Sequence, residues 1–329
     1  MTIYDVAAAA GVSPSTVSRA FSRPGRVSAR TAAHIHEVAA ELGYRAPQTA
    51  KAEASHHSKM LGISATDITN PFFFGIIRGA EHVAVAEDFS IMLADSQEND
   101  ELERRLFDRT MPLVDGMIVA TSRLPDSVLR SAAKRAPVVS LNRLVPGLPC
   151  VITDNARGMR RALEHLAELG HRRVAYVSGP TTSWADGARQ RAFREGCYEL
   201  DLVEHRVGPT APTVRGGMSI FPQIREQRVT AVIGFNDIVA VGIMRAAKAA
   251  GLHVPGELSV VGIDNVFVSD LVSPGLTTIA SPLTLLGERA ARTVIALVNG
   301  REPETTADHP SVLPMRLIVR ESTGPAVRR

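Results

Sequence analysis

From residue 60 onward the chain alternates short apolar runs, each stopping on polar residues, with stretches of helical period. The first run covers residues 60–66 and precedes Asp67, Asn70-Pro71 and a helical pattern from Phe72 to Glu87. Further runs lie at 89–96, 114–121 and 136–143, with helical patterns near 99–111 and 125–134 between them. After a helix near 156–169 the order restarts, with runs at 172–179, 229–236 and 258–265 and helices near 185–200 and 237–250. Runs that are apolar throughout belong to strands covered on both faces, and strands separated by helices pair in parallel. The order therefore predicts an α/β body of two parallel-sheet units in series. Two such lobes leave a ligand cleft between them, lined by polar residues at the carboxyl ends of the strands.

A chain of 329 residues accommodates this body and one small additional module, and its 45% hydrophobic content suffices for several cores. No apolar run reaches membrane-spanning length, and the first residues, which include Asp5, lack a basic region followed by an apolar stretch. The expectation is a cytoplasmic chain with no membrane partner. Cys150 and Cys197 are the only cysteines and lack metal-ligand spacing, so both read as buried apolar side chains in a reducing compartment. The charge is unevenly placed. Residues 1–59 hold Arg19, Arg23, Arg26, Arg30, Arg45, Lys51 and Lys59 against Asp5, Glu37, Glu41 and Glu53, so the whole net charge of +3 sits there and the remainder balances. A basic head on a neutral body is expected where only the head meets a polyanion.

The head reads as three short helices. Thr2 is an N-cap candidate before Val6, Ala7 and Ala10, and Gly11 supplies a left-handed stop. Ser13-Pro14 then gives a cap followed by proline at the first helical position, so a second helix runs from Pro14 to about Phe21. A third begins at or just after Ser28, turns Ile35, Val38, Ala39 and Leu42 inward and ends at Gly43. This helix-turn-helix spacing can present its second helix to a DNA major groove. Arg19 and Ser15 are candidates for base edges, and Ser13, Thr16 and Ser28 for phosphates. The same three-helix pattern also fits a small protein-binding module.

The sequence resembles the lactose/galactose repressor (LacI/GalR) family. The resemblance is carried in the head by Asp5-Val6-Ala7, Ala10-Gly11-Val12-Ser13, Thr16-Val17-Ser18-Arg19, Val27-Ser28, Thr31 and Leu42-Gly43-Tyr44. In the body it is carried by Asn70-Pro71-Phe72-Phe73, Val114-Asp115-Gly116, Asp154-Asn155, Gly170-His171-Arg172-Arg173, Ser178-Gly179-Pro180, Asn236-Asp237, Ser259-Val260-Val261-Gly262, Asp264, Leu276-Thr277-Thr278-Ile279 and Arg320-Glu321-Ser322. It implies a helix-turn-helix DNA-binding domain at 1–44, a hinge at 45–59 and a two-lobed, periplasmic-binding-protein-like effector and dimerisation domain at 60–329. The first lobe would span about 60–158 and 290–318 and the second about 159–289, with crossovers near 158–160, 285–290 and 315–320. It further implies that Pro14, Ser15 and Arg19 face operator bases, and that a homodimer binds an inverted repeat on the nucleoid, under the control of a small sugar or sugar-acid effector.

The hinge departs from the family pattern. There a short helix folds on the operator and a leucine wedges into the minor groove, whereas Glu53 holds the leucine position here. A carboxylate cannot serve as an apolar wedge beside phosphates. Lys51 can still touch phosphate.

Effector candidates are the polar residues at strand ends and in adjoining loops. Asp264 can accept two hydroxyl hydrogen bonds, Asn236 can donate and accept, and Arg189 matches the family arginine that reaches the effector. Trp184 is a stacking platform for a sugar's C–H face, Phe73 and Phe74 lie at the mouth of the first lobe, and Asp186 and Asn142 complete the set. Each has a second reading: Asp264 as a loop cap, Asn236 as a helix cap, Arg189 paired with Glu195 or another acid, Trp184 as filler between lobes, and one of the two phenylalanines as core. Asp237 reads as a helix cap. No phosphate-loop, zinc-protease, CxxC or nucleophile-elbow motif occurs, so neither an enzyme nor a cofactor or metal is expected. The competing functions are a solute-binding protein on the same core and a regulator sensing a purine or a partner protein.

Overall fold

The computed structural model describes residues 2–22, 26–44 and 58–327, which fall into two units, Met1–His57 and Ser58–Arg329. Of the expected hinge only Ser58 and Lys59 are described, so Lys51 and Glu53 lie outside the described residues. The smaller unit contains α1 (Ile3–Ala9), α2 (Pro14–Ser22) and α3 (Ala29–Glu41). Each start has a local cause. The Asp5 carboxylate accepts the Thr2 N–H at 2.7 Å, the Ser13 hydroxyl accepts the Thr16 N–H at 3.2 Å, and the Ser28 hydroxyl accepts the Thr31 N–H at 3.2 Å. Gly11 turns the chain between α1 and α2 at φ +64°, a conformation that glycine adopts without strain. Val6, Val17 and Ile35, one from each helix, are fully buried at the centre.

The body begins with β1 (Met60–Ala65), α4 (Phe72–Ala86), β2 (Ser90–Asp95), α5 (Asp100–Thr110), β3 (Gly116–Ala120), α6 (Asp126–Ala133), β4 (Val138–Leu141) and β5 (Cys150–Thr153). It continues through α7 (Asn155–Glu168), β6 (Arg173–Val177), α8 (Trp184–Glu199), β7 (Val203–Val207), α9 (Val214–Glu226), β8 (Ala231–Ile233), α10 (Asp237–Ala249), β9 (Ser259–Asp264), α11 (Val268–Leu271) and β10 (Thr277–Ala280). It closes with α12 (Leu283–Val298), β11 (Ser311–Leu313) and β12 (Arg316–Ile318). Two sheets result, ordered β11-β5-β4-β3-β1-β2 and β12-β10-β9-β8-β6-β7. Every pairing is parallel except β12 on β10. Central strands such as β3, β4 and β9 are buried along their whole length, as sheets covered on both faces require.

The chain changes lobe between β5 and α7, between β10 and α12, and between β11 and β12. These crossings lie a few residues ahead of the expected ones. The whole of α7 packs on the second sheet, where a Cβ added at Gly158 would stand 2.6 Å from Ile279. Residues 316–318, expected in the first lobe, instead form the antiparallel edge of the second sheet. Among the described residues no helix is long and apolar enough to cross a membrane.

In each lobe one helix pair crosses backbone against backbone at glycines. A Cβ on Gly79 or Gly287 would overlap the facing carbonyl of Thr284 or Ile76, where α4 meets α12. Gly217 and Gly242 bear the same relation to the carbonyls of Val239 and Val214, where α9 meets α10. Facing backbone cannot rotate aside as a side chain can, so Gly287→Ala is expected to cost about 1–3 kcal/mol in urea unfolding. Gly187→Ala, at a helical site with nothing within 4 Å of the added carbon, is the control and should be neutral or stabilising by up to about 1 kcal/mol.

Candidate functional site

On the head, Pro14, Ser15 and Arg19 are exposed on α2, and Ser15 and Arg19, four residues apart, share a face. Ser13 lies at the amino end of the same helix, its hydroxyl 2.8 Å from those of both Ser15 and Thr16. Ser28 holds the corresponding place on α3, 2.7 Å from the Thr31 hydroxyl. The first N–H groups and the helix dipole at each of these amino ends favour negative charge nearby.

In the body, strand order reverses between β1 and β3 in the first sheet and between β6 and β8 in the second. Crevices open at such reversals, beyond the carboxyl ends of the strands. Both open into one interlobe cavity. Thr66, Asn70, Glu98, Thr121, Arg123 and Asn142 line it from the first lobe, and Ser183, Arg189, Asn236 and Asp264 from the second; Phe72, Phe73, Phe235, Pro180 and Pro212 supply apolar walls. Four of these residues sit at or shortly after strand ends with positive-φ backbone: Glu98 at φ +58°, Thr121 at +57°, Asn142 at +59° and Asp264, the last residue of β9, at +111°. Non-glycine residues hold that conformation only where surrounding structure enforces it, and the turn redirects their side chains into the crevice.

Arg189 is the most heavily tied residue of the cavity. Its guanidinium donates to the Asp264 carboxylate at 3.1 Å, the Phe235 carbonyl at 2.6 Å and Asn155 Oδ1 at 3.2 Å, and it lies 5.1 Å over the Phe235 ring. Arg189 is 3% exposed and Asp264 4%. Burial pushes the Asp264 carboxyl up to about 6, against the opposing pull of Arg189 and of the Ser281 hydroxyl, which donates at 3.3 Å. All of these bonds use Oδ1, so Oδ2 has no hydrogen-bond partner among the described residues. Beneath this pair Asp237 accepts the Val266 N–H at 2.8 Å and the Thr278 hydroxyl at 2.5 Å, and burial holds its carboxyl well above the usual range. It braces the segment that carries Asp264. In the first lobe Arg123 is paired with Glu98, while its own N–H is held at 3.1 Å by buried Glu103, whose carboxyl is raised by burial.

Of the effector candidates, Phe73, Asn142, Arg189, Asn236 and Asp264 come together around the cavity. Asn236 also caps α10, its side-chain oxygen accepting the Val239 N–H at 2.9 Å, which leaves the amide NH₂ for another partner. The other three candidates stand apart from it. Trp184 heads α8 roughly 140° around the helix from Arg189 and packs on the first lobe's Phe107 and Leu129 cluster. Phe74 is 49% exposed and stacked on Phe267, with ring centroids 6.2 Å apart. The Asp186 carboxylate is occupied by the Tyr176 hydroxyl at 2.9 Å and the Gly179 N–H at 2.8 Å, fixing the turn from β6 into α8. Thr66, Thr121, Glu98 and Arg123 were not among the sequence candidates. Thr66 and Thr121 directly follow apolar strands, a signal that could have found them; Glu98 and Arg123 come from loops without pattern. Among the described residues no group of His, Cys, Asp and Glu is arranged to hold a metal ion.

Residues 2–47 match the sequence profile described as bacterial regulatory proteins, lacI family, and residues 163–323 match a periplasmic binding protein-like domain. The HTH-type transcriptional regulator DegA of Bacillus subtilis (strain 168) is 31% identical, covering 98% of both chains. A LacI family transcriptional regulator from Enterococcus faecium with bound ribose is 30% identical with a TM-score of 0.71, covering 82% of this chain and all of that one. The lac repressor dimer bound to operator and the anti-inducer ONPF is 26% identical with a TM-score of 0.77, covering 98% of this chain and 99% of that one.

Removing Arg189 leaves the Asp264 carboxylate buried with no cation beside it. Burial already raises this carboxyl against the opposing pull of Arg189, so without the guanidinium it lies higher still; stability then falls as pH rises from the unfolded-state value of about 4 toward the raised folded-state one, and protonation relieves the loss at lower pH. Arg189→Met is therefore expected to lose about 3–5 kcal/mol at pH 8 and distinctly less at pH 5, read from urea unfolding at the two values. An equal loss at both would show that Asp264 is not what Arg189 compensates.

Proposed function

This chain belongs to the lacI family of bacterial regulatory proteins, and from that premise we propose that it is a transcriptional repressor that binds inverted-repeat operator DNA as a homodimer, released by a small sugar-like effector in its interlobe cleft. Membership makes it a DNA-binding regulator with a sugar-binding-like core, and not an enzyme. The observation that carries the finer reading is the cleft lining: the buried Arg189–Asp264 pair, with Asn142, Asn236, Thr66 and Thr121 around apolar faces, is a set of hydroxyl-binding groups. Ribose in the Enterococcus faecium regulator and operator DNA on the lac repressor dimer support the two halves of the reading.

Arg19 reads a base edge, and Pro14 and Ser15 abut it. Ser13, Thr16, Ser28 and Lys51 take phosphate contacts that fix register. One head spans few base pairs, so a two-fold dimer reading two half-sites gives the specificity, in the cytoplasm on the nucleoid. The effector shifts operator affinity by binding one lobe arrangement more tightly than the other.

Operator binding measured at fixed salt, with and without a panel of sugars, tests this. Arg19→Ala should reduce discrimination between operator and random duplex by about 10–100-fold, the worth of one bidentate base contact. Asp264→Asn should bind operator as the parent does but lose its response to sugar. Equal affinity of the parent for all duplexes would sink the repressor reading, and an Asp264→Asn protein that still responds would sink the role of the cleft.

A further inference from the structure

We infer that the effector is an uncharged polyol and that the cleft rejects the corresponding sugar acid. This rests on the reading of the cleft as the effector site. Only two cationic side chains line the cavity among the described residues, Arg123 and Arg189, and each already faces a carboxylate that lines the same cavity: Glu98 in the first lobe and Asp264 in the second. The side chains of three of the four are at least about nine-tenths withdrawn from solvent, Arg123 at 11%, Arg189 at 4% and Asp264 at 5%. The cavity therefore has no net positive charge to offer. Adding a carboxylate ligand would leave one uncompensated negative charge among side chains that are mostly buried, and an unpaired ion in such surroundings is disfavoured.

The behaviour of Asp264 indicates how that space treats an anion. Even with a guanidinium 3.1 Å away, burial outweighs attraction and raises its carboxyl to about 6. A ligand carboxylate beside it would meet the same desolvation and the repulsion of Asp264 as well. The remaining polar lining is neutral amide and hydroxyl, which suits ligand hydroxyls.

The Glu98–Arg123 pair is the discriminating element, because it can be unbalanced without displacing the arginine. Arg123 keeps two anchors that do not depend on the Glu98 carboxylate: its backbone N–H on Glu103 at 3.1 Å, and its guanidinium on the Glu98 main-chain carbonyl at 3.4 Å. Glu98→Gln thus leaves a positioned, unneutralised guanidinium in the cleft wall.

Titration calorimetry of the full-length protein with matched pairs (glucose and glucuronate, galactose and galacturonate, ribose and ribonate) tests the inference. A neutral member should bind, with its acid at least tenfold weaker. Glu98→Gln should shift that ratio toward the acid by at least tenfold, and Glu98→Gln combined with Arg123→Gln should restore the discrimination. An acid that binds the parent protein as tightly as its neutral partner overturns the inference while the sugar reading stands. No binding by any member of the panel overturns both. A ratio unmoved by Glu98→Gln, with the variant's circular dichroism unchanged, removes the Glu98–Arg123 pair from the account of selectivity.

Discussion

A guanidinium taken out of water must be given partners on all sides, and the cleft is built around meeting that demand for Arg189. One helix supplies the arginine, β9 ends in the carboxylate opposite it, the loop after β8 supplies the Phe235 carbonyl and ring, and the first residue of α7 adds a side-chain amide. Four separate elements of the second lobe thus converge on one group. The strained backbone at Asp264 is held because its carboxylate is bound there, while Asp237 braces the next turn from beneath. Desolvation makes such a network costly to leave incomplete, and for the same reason it orients the remaining polar atoms toward whatever enters the cavity.

The two units solve different problems with the same chain. The head is too small for a deep core and relies on local capping at Thr2, Ser13 and Ser28 around a few fully buried aliphatic side chains. The body buries entire strands and brings helices so close that glycine is required at the crossings, once in each lobe. The excess of basic residues among the first 59 positions and the charge-balanced cavity of the body suit different kinds of partner, a polyanion and a small neutral ligand.

Much of this architecture is legible in the amino-acid order. Proline after a serine cap marks the start of α2, and a run of apolar residues marks β9 to within a residue, because both signals are local. Other elements leave no such trace. β7 is mostly polar because it is an edge strand with exposed residues, and α9 contains Gly216, Gly217 and Pro222, which argue against a helix when read alone. Gly217 is there because α10 passes against its backbone, a fact of packing that no window of sequence contains.

The sequence by itself determined the family, the three-helix head, the alternating α/β body and the polar strand ends where a ligand site belongs, since these follow from caps, periods and motifs within short stretches. Only the tertiary structure decided which strand-end residues share a cavity. It paired Arg189 with Asp264, 75 residues apart, and not with nearby Glu195; it set the partly buried Trp184 between the lobes, against the first lobe's core, and committed Asp186 to a turn. It also neutralised both cavity arginines, because charge balance in a buried space is a property of side chains gathered from distant segments and not of any one of them.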